Sequence, residues 1–288
     1  MNPVPASSAP TAALVEPFLR CSRLNAVFHI ELNRPASRNP LGAEMVEALS
    51  AAVAEASADS LVRVILLTAA GDTFSAGGNL GNLSERLEAR PGADGQDPIA
   101  AGNRRYGSFL AQLAGSGKTS VVAVHGPAMG GGAGLVCAAD IAIGTTAARF
   151  GFPETSIGLV PGQILPFVAA RIGVQAARRL MLTCERIDGT EAHRIGLLDY
   201  CVSDAEQLRA RTDAVISSLV ACAPVASATT KALLRDTLAM AEWHADGLRG
   251  YLDQASTVFA RQMRTEAVVG IVAARGKHRP DWHAVRYS

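Results

Sequence analysis

The stretch that decides the fold reads HGPAMGGGAGLVCAAD, residues 125–140. An apolar run, SVVAVHG (120–126), leads into it. Three glycines follow in a row, Gly130, Gly131 and Gly132, and an apolar helical pattern leaves with one more, Gly134, inside it. Glycine in a helix interior costs roughly 1 kcal/mol relative to alanine, so this density calls for a reason. A dinucleotide fingerprint would need a third glycine where Leu135 stands, and no acidic residue ends a following strand to hold a ribose. A P-loop is suggested by GSGKTS (115–120), but its first glycine would fall on Gln112. Lys118 also precedes a strand where the P-loop lysine should open a helix. The remaining functional reading is an oxyanion hole. A helix N-terminus exposes unpaired N–H groups, and glycines let an oxygen approach them. FSAGGN (74–79) has the same character after the preceding strand. Tight turns with close helix packing stay open as the structural alternative.

Working outward, three β-rich runs recur: NAVFHIEL (25–32), VRVILLTA (62–69) and SVVAVHG (120–126). A helix is expected over 43–57, with apolar residues at Met45, Val46, Leu49 and Val53. Strands alternating with helices predict an α/β fold with crossover connections and a largely buried sheet. Residues 81–117 turn polar, with ARPGADGQDP at 89–98, and read as a long mobile excursion of the kind that borders active sites. Helical patterns dominate after Phe152 and run nearly unbroken from 204 to about 274, interrupted at Ala223–Pro224. That part is too thin to hold a core alone and is expected to pack on the sheet or on a second subunit.

The composition bounds the function classes. The 288 residues are 49% hydrophobic and 18% charged, with a net charge of +1. This is globular and gives no basic surplus for nucleic-acid binding. Five widely spaced cysteines, with no C-x-x-C, predict neither a disulfide framework nor a zinc site. Most are expected to be small buried residues in a reducing cytoplasm. The first seventeen residues, MNPVPASSAPTAALVEP, read as a flexible tail without the basic start and apolar run of a secretory signal. No uninterrupted apolar run reaches the length of a transmembrane helix.

In order and spacing, VFHIELNRPASRNPLGAEM, VRVILLTAAGDTFSAGGNL, VAVHGPAMGGGAGLVCAADIAIG, ARFGFPETSIGLVPG and RRLMLTCERIDGTEAHRIGLLD resemble the crotonase superfamily, the enoyl-CoA hydratase/isomerase fold. The resemblance covers nearly the whole chain. It implies a tail over 1–17, a spiral of ββα turns with two nearly perpendicular sheets over 18–205, and a helical region over 206–288 that builds trimers, often paired into hexamers. It implies acyl-CoA thioester substrates, with CoA as part of the substrate and no further cofactor or metal. The thioester oxygen would be held by two backbone N–H groups, which fall here on Ala76 and Gly131. Donors of this kind stabilise the enolate, and losing one costs about 2.7–4 kcal/mol of barrier. CoA and substrate contacts are expected from Arg38, from Ala76, Gly77, Gly78 and Asn79, and from Gly130, Gly131 and Gly134. Arg38 would pair with a CoA phosphate or stand as a surface arginine. Relatives often carry aspartate where Asn79 stands. Lys277, Arg279 and Trp282 lie where relatives send groups toward CoA, or in a solvated tail.

Typical hydratases of this fold use two glutamates. The first falls on Gly134 and is missing; the second falls on Glu154 and is present. Glu154 is therefore the expected acid/base, among apolar neighbours such as Phe152 and Leu159 that would raise its pKa. His125 is the alternative acid/base, with a structural role favoured for it, and Asp140 reads as structural. With one glutamate, a hydratase and a Δ3,Δ2-enoyl-CoA isomerase are both physically reasonable, and a non-catalytic acyl-CoA binder is the rival from another class. PETSIGLVPGQILPFVAARIG is similar to the P-x-x-I-x-P-[FY]-V pattern of methylglutaconyl-CoA and isohexenylglutaconyl-CoA hydratases. The expectation is hydration of a branched or carboxylated enoyl-CoA.

Overall fold

The computed structural model describes residues 17–78 and 97–239, with isolated positions between 269 and 282. The main sheet has six strands in the order β1-β2-β3-β4-β6-β9. These are β1 (Leu19–Leu24), β2 (Val27–Leu32), β3 (Val64–Ala69), β4 (Thr119–Val124), β6 (Ile141–Thr145) and β9 (Tyr200–Val202). β1 and β2 form an antiparallel hairpin, and every later pairing in this sheet is parallel. The three expected strands are β2 and β3, each starting two residues later than expected, and β4, which starts one residue earlier and ends two earlier. A smaller sheet joins β5 (Ala128–Met129), β7 (Arg149–Gly151) and β8 (Ile187–Asp188). The α/β spiral of the crotonase fold is thus present.

The β-branched sequences VILLTA and TSVVAV are buried on both faces, as parallel strands require. Helix α1 (Ala43–Ala58) buries Met45, Val46, Leu49 and Val53 on one face of the sheet. Helix α2 (Pro98–Gly115) packs beside it, starting at Asp97, whose carboxylate accepts from the Ile99 and Ala100 amides. This corrects the expectation of a polar excursion through 117. Phe109, Leu110 and Leu113 fix α2 to the core, while the interior glycines Gly102 and Gly107 and the polar run at 103–105 obscure its period. Residues 79–96, with the first part of that stretch and Asn79, lie outside the described residues. The glycine-rich stretch opens α3 (Gly131–Ala138), against which α4 (Leu165–Thr183) packs; α5 (Gly189–Arg194) follows.

On the opposite sheet face, α6 (Ala205–Ala221) covers Val64, Val121, Ala123 and Ile143 with Leu208 and Val215. The C-terminal region therefore begins by packing on the sheet. α7 (Pro224–Ala239) is tied down by Lys231, whose ammonium lies 2.7 Å from Asp140 Oδ2 and 2.9 Å from the Lys118 carbonyl. Asp140 also accepts from the Ser120 amide and hydroxyl, which gives it the structural role expected. The cysteines need correction. Only Cys137 is buried, its thiol pushed up to about 12 by desolvation, while Cys21 on edge strand β1 and Cys222 at the end of α6 are exposed. Among the described residues, no single helix is long and apolar enough to cross a membrane.

Candidate active site

Parallel pairing of β3 with β4 brings the C-terminal ends of both strands to one edge. The two glycine-bearing loops therefore leave side by side, where open α/β sheets usually place ligands. Backbone bonds stitch them together. Ser75 donates its amide to Pro127 O at 3.1 Å and accepts from the Met129 amide at 2.9 Å. On its other side the 75–78 loop pairs with the segment after β2, through the Pro40–Gly77 bridge and a 2.7 Å bond from Leu41 N–H to Gly77 O. Buried Asn39 braces this layer. Its Oδ1 accepts from the Arg34 amide, and its Nδ2 donates to Ala70 O and Thr73 O, both at 2.9 Å. Neither Asn39 nor Ser75 stands out in the sequence, because each lies in a polar or glycine-rich turn where such residues are ordinary.

This weave corrects one expected donor. The Ala76 N–H is engaged by Arg38 O at 2.8 Å, so it is not free to hold a ligand oxygen. The Gly77 N–H points to Ser75 Oγ at 3.1 Å. Gly77 has a φ of +86°, and a Cβ there would stand 3.2 Å from the Gly131 nitrogen. The next amide, Gly78, makes no hydrogen bond among the described residues and lines the pocket with Gly131. Gly131 is the first residue of α3, so its N–H has no partner within the helix.

Glu154 completes the pocket. It opens a short 3-10 turn (Glu154–Ile157) just after β7, and the Gly130 amide bonds Gly151 O at 2.8 Å. The carboxylate is held directly over Gly130, whose φ is +50° and where a Cβ would meet Glu154 Oε1 at 2.8 Å. Only glycine satisfies both conditions. Glu154 Oε2 is buried and has no hydrogen-bond partner among the described residues. Burial pushes the carboxyl above the ordinary carboxylate range, against a smaller opposing effect of its own backbone amide.

The cavity between these groups measures about 250 Å³. Leu41, Ile157, Leu159, Val160 and Ile164 make it mostly apolar, and Asn103, Tyr106 and Gln163 are its neutral polar side chains. Tyr106 donates its hydroxyl to Gly131 O at 2.5 Å, clamping α2 onto the first turn of α3. Desolvation raises its phenol above the ordinary range, and the nearby Cys137 thiol and Glu154 carboxyl add to the rise. Gly134 does not face open space. A Cβ there would lie 2.7 Å from Ile164 Cβ, so the place of a second glutamate is filled by an isoleucine.

Arg38 is exposed and lines a separate cavity of about 600 Å³ with Arg149 and Arg186, and Ala76 borders both cavities. His125 bonds Gly71 O at 2.7 Å, away from the acyl cavity, which accords with the structural role. Trp282 donates to Ala221 O at 2.9 Å on α6. Lys277 and Arg279 lie outside the described residues. Among the described residues, no cluster of His, Cys, Asp and Glu is arranged to hold a metal ion.

The spiral fold and this pocket place the protein in the crotonase superfamily. It superposes on an enoyl-CoA hydratase/isomerase from Marinobacter aquaeolei with a TM-score of 0.85 and 36% identity, over 92% of this chain and 98% of that one. AtuE of Pseudomonas aeruginosa is 39% identical, with a TM-score of 0.84 over 92% and 99% of the two chains. A short-chain-enoyl-CoA hydratase of Clostridium acetobutylicum is 29% identical over 204 residues, which is 70% of this chain and 75% of that relative. The enoyl-CoA hydratase/isomerase family model matches residues 22–283, and the chain belongs to that family.

Proposed function

We propose that this protein is an enoyl-CoA hydratase that adds water to the α,β double bond of a branched acyl-CoA, with Glu154 as its single acid/base. The observation that carries this is the buried, unpartnered Oε2 of Glu154, facing a pocket lined by the free amides of Gly78 and Gly131. The thioester oxygen accepts from those two amides. Ionised Glu154 takes a proton from water as the water oxygen bonds to Cβ, and the π electrons move onto the thioester oxygen as an enolate. The protonated acid then delivers the proton to Cα, so one water is added and the carboxylate is regenerated. A raised pKa suits a group that must both take and give the proton. Beside Glu154, the oxygen of Tyr106 is a second polar atom able to hold the water, since its own proton is committed to Gly131 O.

CoA would run past the 38–41 loop. The three guanidinium groups of Arg38, Arg149 and Arg186 around one cavity support a site there for its phosphates. A homo-oligomer, trimer or hexamer, is supported by exposed apolar residues beside the pocket and on α4, such as Val160, 78% exposed, and Leu182, 69% exposed.

One observation favours a second reading. Ile164 over Gly134 leaves an apolar wall opposite Glu154. This suits an isomerase in which the same glutamate takes a proton from C2 and returns it at C4. Incubation with crotonyl-CoA, a 3-enoyl-CoA and 3-methylglutaconyl-CoA separates the readings. A 3-hydroxyacyl product supports hydration and a shifted double bond supports isomerisation. Tight binding of all three without conversion overturns both.

A further inference from the structure

Gln163 is held inside the acyl pocket by an arrangement that nothing in the hydration chemistry requires. Its side chain folds over Gly107, a buried position in the middle of α2. A Cβ at 107 would stand 2.8 Å from Gln163 Cδ and 3.3 Å from its Cβ, so the side chain lies where it does because residue 107 has none. The carboxamide makes no hydrogen bond among the described residues, yet it lines the cavity that holds Glu154. Around it the wall is Ile157, Leu159, Val160 and Ile164.

We propose that Gln163, seated over Gly107, reads an oxygen atom on the acyl chain and selects thioesters whose acyl group carries a carboxylate or hydroxyl beyond the reacting carbons. The inference rests on the acyl-CoA reading above. A carboxamide offers two N–H donors and a carbonyl acceptor. An all-carbon acyl chain packed against it strips its water and returns no hydrogen bond, whereas an oxygen restores one. Sites built this way reject analogues that lack the oxygen more strongly than apolar pockets reject a misfit. Among the described residues no lysine, arginine or histidine lines the cavity, so the recognition that Gln163 offers a carboxylate there comes from neutral N–H donors. Asn103 lies one turn before Gly107 on α2 and lines both this cavity and an adjoining one of about 450 Å³. An acyl group that extends past Gln163 meets a second carboxamide at that junction.

The test is calorimetric binding of saturated acyl-CoAs, which do not react. Butyryl-CoA and isovaleryl-CoA are compared with 5-hydroxypentanoyl-CoA, glutaryl-CoA and 3-methylglutaryl-CoA, using wild type, Gln163→Leu and Gly107→Ala. The wild type is expected to prefer at least one oxygenated thioester by about tenfold, the equivalent of one added hydrogen bond. The hydroxyl and carboxylate arms show which oxygen is read. Gln163→Leu should bring the preference to near unity. Gly107→Ala should reduce it while leaving the glutamine in the chain, because the new methyl displaces the carboxamide. Thermal melting of each variant guards against misfolding. Equal binding of both groups by wild type, or a preference that survives Gln163→Leu, overturns the inference. Binding of neither group overturns the acyl-CoA reading itself.

Discussion

Replacing Glu154 by glutamine should inactivate the protein and stabilise it. The side chain keeps its volume, but the group that moves the proton is gone, and turnover should fall at least about 100-fold, the low end for acid–base catalysis. The stability gain follows from Oε2, which is buried without a hydrogen bond. A buried unsatisfied acceptor costs about 1–3 kcal/mol, and more when charged. Glutamine removes the charge but leaves an unpartnered amide, so roughly 1 kcal/mol should return, about 2–4 °C in melting temperature. The gain depends on pH. The folded pKa of Glu154 lies above its unfolded value of about 4.3. Between those two values the folded state keeps a proton that the unfolded state has lost, so wild-type stability falls as pH rises through this window and is flat above it. The non-titrating variant should match wild type below about pH 4 and exceed it above the folded pKa. Wild-type turnover should rise through the same raised pKa as the base ionises. Melting curves at several pH values, paired with a turnover–pH profile, test both limbs. A variant that melts below wild type near neutral pH, or keeps turnover within about threefold, refutes the reasoning.

Three other perturbations probe the frame around that acid. Gly131→Pro should fold, because proline is tolerated at the first helical position, yet lose about 2.7–4 kcal/mol of barrier lowering, seen as a collapse of kcat with an unchanged melt. Gly134→Glu should destabilise the protein by about 1–3 kcal/mol through the clash with Ile164, and Gly134→Glu with Ile164→Ala should recover most of that loss in thermal melts. Lys231→Met should cost about 2 kcal/mol in denaturant unfolding, since it takes the cation away from Asp140 and the last described helix away from the sheet.

Much of this architecture is legible in residue order because its signals are local. β2, β3 and β4 are apolar β-branched runs, α1 shows a clean helical stripe, and Gly130–Gly132 before an apolar helix mark an N-terminus that lines the cavity. Glu154 is legible only through family resemblance, because an acid early in a helical turn is ordinary in itself. What escaped depends on tertiary pairing. Strand β1 carries Arg20, Ser22 and Arg23 along an exposed edge, and α2 hides its stripe behind Asn103, Arg104 and Arg105. The exchange of Gly78 for Ala76 as the free amide is set by the positive φ of Gly77 and by the bond from Ala76 to Arg38 O, which residue types do not reveal. Tyr106 and Gln163 reach the pocket from elements whose placement no local pattern predicts.

Gly134 gains a different meaning from this packing. Two helix-interior glycines, Gly107 in α2 and Gly134 in α3, each receive one of two consecutive residues, Gln163 and Ile164. Each glycine costs its helix up to about 1 kcal/mol relative to alanine, so admitting this pair costs on the order of 2 kcal/mol in helix propensity. A chain that had merely lost a catalytic glutamate would need no such matched vacancy: alanine at 134 would serve the helix better. The missing side chain is instead one half of a contact that brings Ile164 against α3 and, one residue earlier, turns Gln163 over α2. The acyl wall opposite Glu154 is therefore built by the 163–164 dipeptide, and the two glycines are the condition for its seat. On this argument a glutamate at 134 does not restore a two-acid site, because its stem would have to displace the wall that shapes the pocket.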